Sequence, residues 1–343
     1  MLKIAFVGAG YWADAVHGPA LAHYAKERPG EIELAALCVR RNVERAEQFC
    51  RRFGFQRTYT SLSEMLDKEK PNACWVVTPI TATREVVAQV LERGVPVLFE
   101  KPPGANLKEA EELAEISRRT GTPNMVGFNR RWAPCTRQAL EWAREHGPFE
   151  YIYARMLRPD RMDEEFAFGT GIHLLDCVRA LAEAAVGRMK SARTAKVKSA
   201  SGVFNFHVDM AFESGATGRC DILPASGMLD EMYTAFGAKK AISFTLPWKA
   251  HPRPDLDGKA ELCLEGEGGE VKTYPIEPQF ISSGFYGEAE EFISALKKGR
   301  QPSPSAEEAV DSVALAEAVQ EGQAWRPVEP DASLGSCGGV GRR

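Results

Sequence analysis

Short apolar runs alternate with amphipathic stretches over the first 128 residues. "LKIAFVGAG" (2–10) predicts a strand that runs into glycines, "ELAALCVR" (33–40) a second strand and "ACWVVTP" (73–79) a buried third. "VPVLFEKP" (95–102) and "NMVGFN" (124–129) follow. Between them, "VERAEQFCRRFG", "ATREVVAQVLERG" and "LKEAEELAEISRRTG" carry apolar residues at i, i+3, i+4 and i+7, and each ends in glycine, a helix stop. Strands alternating with helices of this length predict an α/β unit with a parallel sheet covered on both faces.

The pattern changes near residue 148. "YIYARMLR" reads as a strand, and "NFHVDMAFESGATGRCDIL", "YTAFGAKKAISFTL" and "KAELCLEGEGGEVKTYPIE" read as hairpins, the first two turning at Ser214-Gly215 and Gly237-Ala238. A second, α+β domain on a largely antiparallel open sheet follows. Such a sheet can leave one face free, which suits self-association. "GEAEEFISALKKG" and "SAEEAVDSVALAEAVQEG" predict late helices. "DASLGSCGGVGRR" has too little apolar content to fold.

Composition narrows the class. A length of 343 residues suits about two domains. Hydrophobic content of 44% and charged content of 26% are those of a soluble globular protein. With a net charge of −4 there is no overall basic field for nucleic acid, and "KKGR" (297–300) reads as solvated surface. No run of 18 apolar residues is present, so no membrane span is expected, and "MLKIAFVGAG" does not have the form of a signal peptide. The eight cysteines form no C-x-x-C pair and the six histidines never fall at i, i+4. Reduced thiols, a cytoplasmic location and no metal site are the expectation.

Gly8-Ala9-Gly10-Tyr11-Trp12-Ala13 is a G-x-G-x-x-A loop between the first strand and a helix. Gly8 permits the tight turn, Gly10 lets backbone approach a pyrophosphate, and Ala13 keeps helix and strand close, while the helix N-terminus attracts the anion. At the end of the second strand an acidic residue would bind the adenosine ribose of NAD, but the chain reads Val39-Arg40-Arg41-Asn42. The two guanidinium groups suit the 2′-phosphate of NADP(H), with solvated surface as the alternative; NAD(H) stays possible.

The run "VLFEKPPG" (97–104) poses a separate question: a core strand ends on a glutamate, a lysine and two prolines. Set beside the glycine loop, Glu100-Lys101-Pro102, "GFNRRWAP" (127–134), "GIHLLD" (171–176) and "FYGEAEEF" (285–292) make the chain resemble the glucose-fructose oxidoreductase / inositol dehydrogenase / MocA family over roughly residues 2 to 326. The resemblance implies a Rossmann domain over 1–123, an α+β substrate and oligomerisation domain over 124–300 and a C-terminal helix over 301–326 packing back on the first domain; by composition the tail over 327–343 is expected to be disordered. It implies hydride transfer between a nicotinamide and a hydroxyl or carbonyl of a small sugar-like or cyclitol substrate, in a homodimer or homotetramer built through the second sheet. Two other readings stay open: an NAD-dependent glycosidase, and a non-catalytic NADP-binding sensor.

Ligands sit outside the carboxyl ends of parallel strands, so Lys101 can meet the reacting oxygen and stabilise alkoxide character. By resemblance Pro102 follows a cis peptide bond, Glu100 anchors the lysine or the nicotinamide ribose, and Thr78-Pro79 borders the nicotinamide. His173 is the second catalytic candidate, as a proton carrier. Asp176 at i+3 shares its helix face. The family's dehydrogenases usually carry an aspartate four residues before this histidine; here that position is Gly169. Asp176, Asp160 or Asp163 are the candidates to orient His173 instead. Asn129, Arg130 and Arg131 could reach substrate or form an interdomain salt bridge. Arg155 and Arg158 have odd spacing on one strand, so at most one faces a cleft. His17 reads as a packing residue, and Thr83 stands near where the family often has a histidine.

Overall fold

The alternating half forms one parallel sheet of six strands: β1 (Leu2–Val7), β2 (Ile32–Cys38), β3 (Arg57–Tyr59), β4 (Ala73–Val76), β5 (Val97–Glu100) and β6 (Asn124–Gly127). Their spatial order is β3-β2-β1-β4-β5-β6, so the order reverses between β1 and β4. A crevice at such a reversal is where dinucleotides bind. The structure is a computed structural model and describes residues 1–247, 258–265 and 267–327; the tail, from residue 328 on, lies outside the described residues. β4 is buried along its whole length, as its unbroken apolar run requires of a strand covered on both faces. β3 has only three residues, too few for any periodicity to announce it.

The amphipathic stretches are helices Val43–Phe53, Ile80–Glu92 and Leu107–Thr120. Asn42 and Asn106 cap the first and third by accepting from the backbone N–H of Arg45 and Glu109. Gly54 and Gly121 end them at φ of +89° and +63°.

The second half is an eight-stranded sheet of β7 (Tyr151–Leu157), β8 (Met189–Lys198), β9 (Phe204–Phe212), β10 (Thr217–Leu223), β11 (Asp230–Gly237), β12 (Lys240–Thr245), β13 (Lys259–Leu264) and β14 (Glu267–Thr273). Its order is β14-β13-β12-β11-β7-β10-β9-β8, antiparallel except between β7 and β10. The three expected hairpins are β9–β10, β11–β12 and β13–β14. Alternation decides the faces: Ile152, Ala154 and Met156 of β7 are buried, toward helix Ile172–Ala185. The other face carries Tyr153, His207, Arg219 and Asp221 in one hydrogen-bonded group, with Tyr151 and Phe236 exposed.

Two late helices return to the first domain. Helix Phe285–Lys297 packs on helix Gly18–Glu27 and shares a core with Ile4, Phe6 and Leu98; Phe292 meets Trp75 edge-on at 5.0 Å. It therefore belongs to the first domain's layer, although the sequence groups it with residues 124–300. The boundary at 123 also falls one strand early, because β6 pairs with β5. Helix Ala306–Glu321, closed by a Ser305/Glu308 capping box, lies along helix Leu107–Thr120 and also touches helix Ile172–Ala185 and β8. Among the described residues, no helix is long and apolar enough to cross a membrane.

Asn124 fastens this last helix. It is fully buried; its Nδ2 donates to Ser117 Oγ (2.7 Å) and Thr122 O (3.0 Å), and its Oδ1 accepts from the Ala306 N–H (2.7 Å). Leaving a buried donor unsatisfied costs about 1–3 kcal/mol, so Asn124→Ala is expected to lower the unfolding free energy by that amount and with it the urea midpoint, while Asn124→Asp recovers part of it. Equal midpoints for wild type and Asn124→Ala in urea would refute this fastening.

Candidate active site

At the reversal between β1 and β4, a groove of about 730 Å³ runs past Gly8, Gly10, Arg40, Arg41, Thr78 and Pro79. Gly8 adopts φ of +101°, and a Cβ there would lie 2.0 Å from the Val77 carbonyl oxygen, so only glycine fits. Beside Gly10, by contrast, a Cβ would meet nothing within 4 Å; its open side faces the groove. Tyr11 and Trp12 stand exposed on the rim with rings edge to face at 5.1 Å, and Ala13 is buried where helix and strand meet. Arg40 and Arg41 are exposed and make no ion pair among the described residues. A narrow glycine turn, an open backbone edge and a cationic end fit a dinucleotide.

Trp12, Val77, Thr78 and Pro79 also line a second cavity, of about 560 Å³, so groove and cleft are continuous there. The cleft opens between the carboxyl end of β5 and the helices of the second domain. Lys101 enters it directly after β5. Its peptide bond to Pro102 is cis. The ammonium donates to Gly169 O at 2.8 Å, a carbonyl in the turn Ala167–Gly171 that precedes helix Ile172–Ala185. Burial pushes the Lys101 pKa down to about 8; Glu100 and Glu231 oppose the shift, while Arg130 and Arg161 add to it.

Glu100 is anchored from the other side. His17 Nε2–H donates to its Oε1 at 2.8 Å, and its Oε2 accepts from the Lys101 N–H at 3.1 Å. Burial pushes this carboxyl up, but the His17 hydrogen bond and the nearby Lys101 charge outweigh it and hold the pKa below the usual value. His17 is buried against Phe285, as a packing residue should be, yet it is also the polar partner of Glu100, which spacing could not reveal. Glu288 is buried near Glu100, with Oε2 unpartnered among the described residues; burial, then the Glu100 charge, push its pKa well above the ordinary range.

His173 lines the cleft with Nδ1 buried and unpartnered among the described residues. Burial first, then Arg130, Lys101 and Arg158, hold its pKa well below 6.5, so the ring is neutral. None of the three expected carboxylates orients it. Asp176 is fully buried and committed elsewhere: it accepts both forks of Arg131 (2.7 Å each) and the Ser312 hydroxyl (2.8 Å). A bidentate pair of this kind outcompetes a single imidazole. Asp163 pairs with Arg161, and Asp160 is exposed.

Arg130 lines the cleft, but Asn129 does not. Asn129 is fully buried, donates to Ser283 O (2.7 Å) and accepts from Arg130 Nη1 (3.1 Å), so it is a brace and no substrate contact. Arg131, tied to Asp176, is committed to a structural ion pair within the second domain. Strand parity separates the two β7-end arginines: Arg155 pairs with Asp230 and Arg158 with Glu231 (2.6 Å). Arg158 is the one that faces the cleft. Fully buried Glu231 also takes Arg130 Nε (3.3 Å) and the Tyr233 hydroxyl (2.8 Å). Its signal was an Asp-Glu pair opening an apolar strand, "DEMYTAFG". Thr83 bonds Thr78 and the Pro79 carbonyl. Among the described residues no His/Cys/Asp/Glu group could hold a metal ion, and the seven cysteines are free thiols, six of them buried.

Comparison with known proteins fits this arrangement. The oxidoreductase-family model for the NAD-binding Rossmann fold matches residues 2–128, and that for the family's C-terminal alpha/beta domain matches residues 164–326. The chain belongs to the Gfo/Idh/MocA oxidoreductase family. Among relatives of this family, D-glucoside 3-dehydrogenase of Escherichia coli is 31% identical over 160 residues, 46% of this chain and 44% of that protein. The scyllo-inositol 2-dehydrogenase (NAD(+)) of Bacillus subtilis is 31% identical over 91 residues, 26% of this chain and 27% of that protein. The chain thus spans less than half the length of these curated relatives. A levoglucosan dehydrogenase solved with NADH and L-sorbose superposes at a TM-score of 0.78 with 17% identity, covering 95% of this chain and 98% of that one, a likeness of fold.

The two loop glycines should respond differently. Gly8→Ala meets a carbonyl at 2.0 Å on a left-handed backbone and is expected to cost about 2 kcal/mol or more. Gly10→Ala should leave stability within about 0.5 kcal/mol yet weaken NAD(P)H binding. Thermal melts and fluorescence titration read both effects; a stable Gly8→Ala protein would refute the contact.

Proposed function

We propose that the chain is a dehydrogenase that oxidises a hydroxyl of a sugar-like or cyclitol substrate, and reduces the matching carbonyl in reverse, with NADP(H) preferred over NAD(H). One observation carries the reading: a half-buried lysine at the carboxyl end of β5, placed where a dinucleotide groove opens into a second cleft. NAD(P), when bound, takes up the hydride from the substrate carbon or returns it. The chain's own residues handle the proton. With a pKa of about 8, Lys101 can both accept the hydroxyl proton and give it back near neutral pH. Neutral His173, held well below its ordinary range, is suited to orienting that hydroxyl by a hydrogen bond and poorly suited to carrying the charge itself.

The NADP preference rests on Arg40 and Arg41, exposed at the groove's end with no acidic residue beside them on the β2 terminus. Self-association through the outer face of the second sheet is part of the same proposal, supported by the exposed Tyr151 and Phe236 there.

Lys101→Met is expected to lower turnover by about 10²–10³-fold, the usual cost of losing a donor to a developing oxyanion, with cofactor affinity kept. The same variant should be more stable by on the order of 1–3 kcal/mol at pH 7, because a lysine whose pKa falls from 10.5 to about 8 on folding is costly to keep charged below that value. In wild type, kcat/KM for oxidation should rise through pH 8 as Lys101 loses its proton, and kcat/KM for reduction should fall through the same pH. Full activity of the methionine variant would remove the lysine from the reaction. Arg40→Asp should shift the NADP/NAD affinity ratio toward NAD by about one to two decades; an unchanged ratio would defeat the 2′-phosphate assignment.

A further inference from the structure

A side chain outside the cleft holds the segment on which the lysine's acceptor and the histidine stand. Gln320 lies in the last turn of helix Ala306–Glu321, shortly before Gly322 ends that helix at φ of +72°. Its Oε1 accepts from the backbone N–H groups of Ala167 (3.0 Å) and Phe168 (3.3 Å), and its Nε2 donates to the Glu164 carbonyl (2.8 Å). Its own carbonyl accepts from Lys196 Nζ of β8 at 2.6 Å, which fixes where the side chain starts. The first N–H groups of a helical turn have no partner within it, and Phe166, just before this turn, supplies no side-chain cap. A glutamine amide carries both an acceptor and donors, so one side chain closes the loop between Glu164 and Phe168.

The turn held in this way is Ala167–Gly171. Its Gly169 carbonyl is the acceptor of the Lys101 ammonium at 2.8 Å, and His173 follows in the helix that the turn opens. The loop before it gives little support, since residues 160–165 are exposed. We propose that Gln320 is a positioning residue: it keeps this turn closed on Lys101 and thereby sets the places of the ammonium and of His173 in the cleft. Gln320 itself lines neither the groove nor the cleft, so it acts through the turn. Its bearing on the reaction rests on reading the cleft as the site of the proposed dehydrogenase; its hold on Lys101 does not. Without the amide, two N–H groups and a carbonyl turn to water, the turn lifts, and water reaches the ammonium. Burial is the largest cause of the lysine's lowered pKa, so admitting water moves the group back toward its ordinary value. Glu100, Arg130, Arg161, Glu231 and neutral His173 act on the ammonium or feel it, and a change at Gln320 alters none of them.

The test titrates Lys101 in the full chain by trace acetylation with acetic anhydride, read by peptide mass spectrometry across a range of pH, and needs no substrate. Gln320→Leu should raise the pH at which Lys101 becomes reactive from about 8 by about one unit. Gln320→Glu keeps the acceptor and loses only the donor. At raised salt, where its added charge is screened, it should fall between wild type and Gln320→Leu. Asn124→Ala loosens the other end of the same helix and should leave the Lys101 titration unmoved. In turnover, Gln320→Leu should lower kcat by about tenfold to a hundredfold with NADPH affinity unchanged, the scale of a reacting group misplaced by about 1 Å. A titration unmoved by both Gln320 changes, or moved equally by Asn124→Ala, would overturn the inference. A shift confined to the Gln320 variants, in a protein that turns over no sugar or cyclitol, would support the hold on Lys101 while removing the dehydrogenase reading. Turnover with kcat and titration both unmoved in Gln320→Leu would overturn the inference and leave that reading standing.

Discussion

The hydrogen bond from the Lys101 ammonium to the Gly169 carbonyl joins the two halves of the molecule at the point where chemistry is expected. A charged amine taken out of water needs compensation, and a single neutral carbonyl supplies only part of it. The rest comes from Glu100, itself clamped by His17, and from Glu231 beyond the cleft. The lysine remains displaced from its ordinary pKa. The same burial that costs stability moves the group into the range where it can exchange a proton at neutral pH.

Around this bond the charges are arranged in two tiers. The outer tier is structural: Arg131 with Asp176, Arg155 with Asp230, and Arg179 with Asp311 and Ser312 tie the second-domain helices and sheet to one another and to the last helix. The inner tier faces the cleft and is made of Lys101, Arg130, Arg158 and His173, with Glu231 behind the arginines. Removing one partner of such a buried network is costly, about 3–5 kcal/mol, because it strands an uncompensated charge. The network therefore keeps cationic groups at the cleft wall that would otherwise turn to solvent.

The two returning helices explain how a cleft between separate cores keeps its geometry. Helix Phe285–Lys297 seals one face of the first sheet, and helix Ala306–Glu321 wedges between helix Leu107–Thr120 and the second domain. Asn124, at the start of β6, holds the second of these by its backbone N–H. The groove beside Gly8 and the cleft at Lys101 thereby share walls drawn from one continuous framework.

The parallel sheet, the hairpins of the second domain and the glycine loop were legible in the chain itself, because apolar period, glycine stops and turn residues are local properties. So was the oddity of Glu100-Lys101-Pro102, since charged residues at the end of an apolar strand contradict burial unless a site lies beyond it. Three features were not legible. Strand β3 is shorter than any period. His17 and Glu231 reach the site only because distant segments fold together. The role of Asp176 was decided by competition: spacing put it near His173, but Arg131 and Ser312, brought in from 45 and 136 residues away, bind it first. Sequence determines which faces are apolar and which groups carry charge, whereas the partner each buried charge takes is a matter of three-dimensional proximity, and only the packed structure decides it.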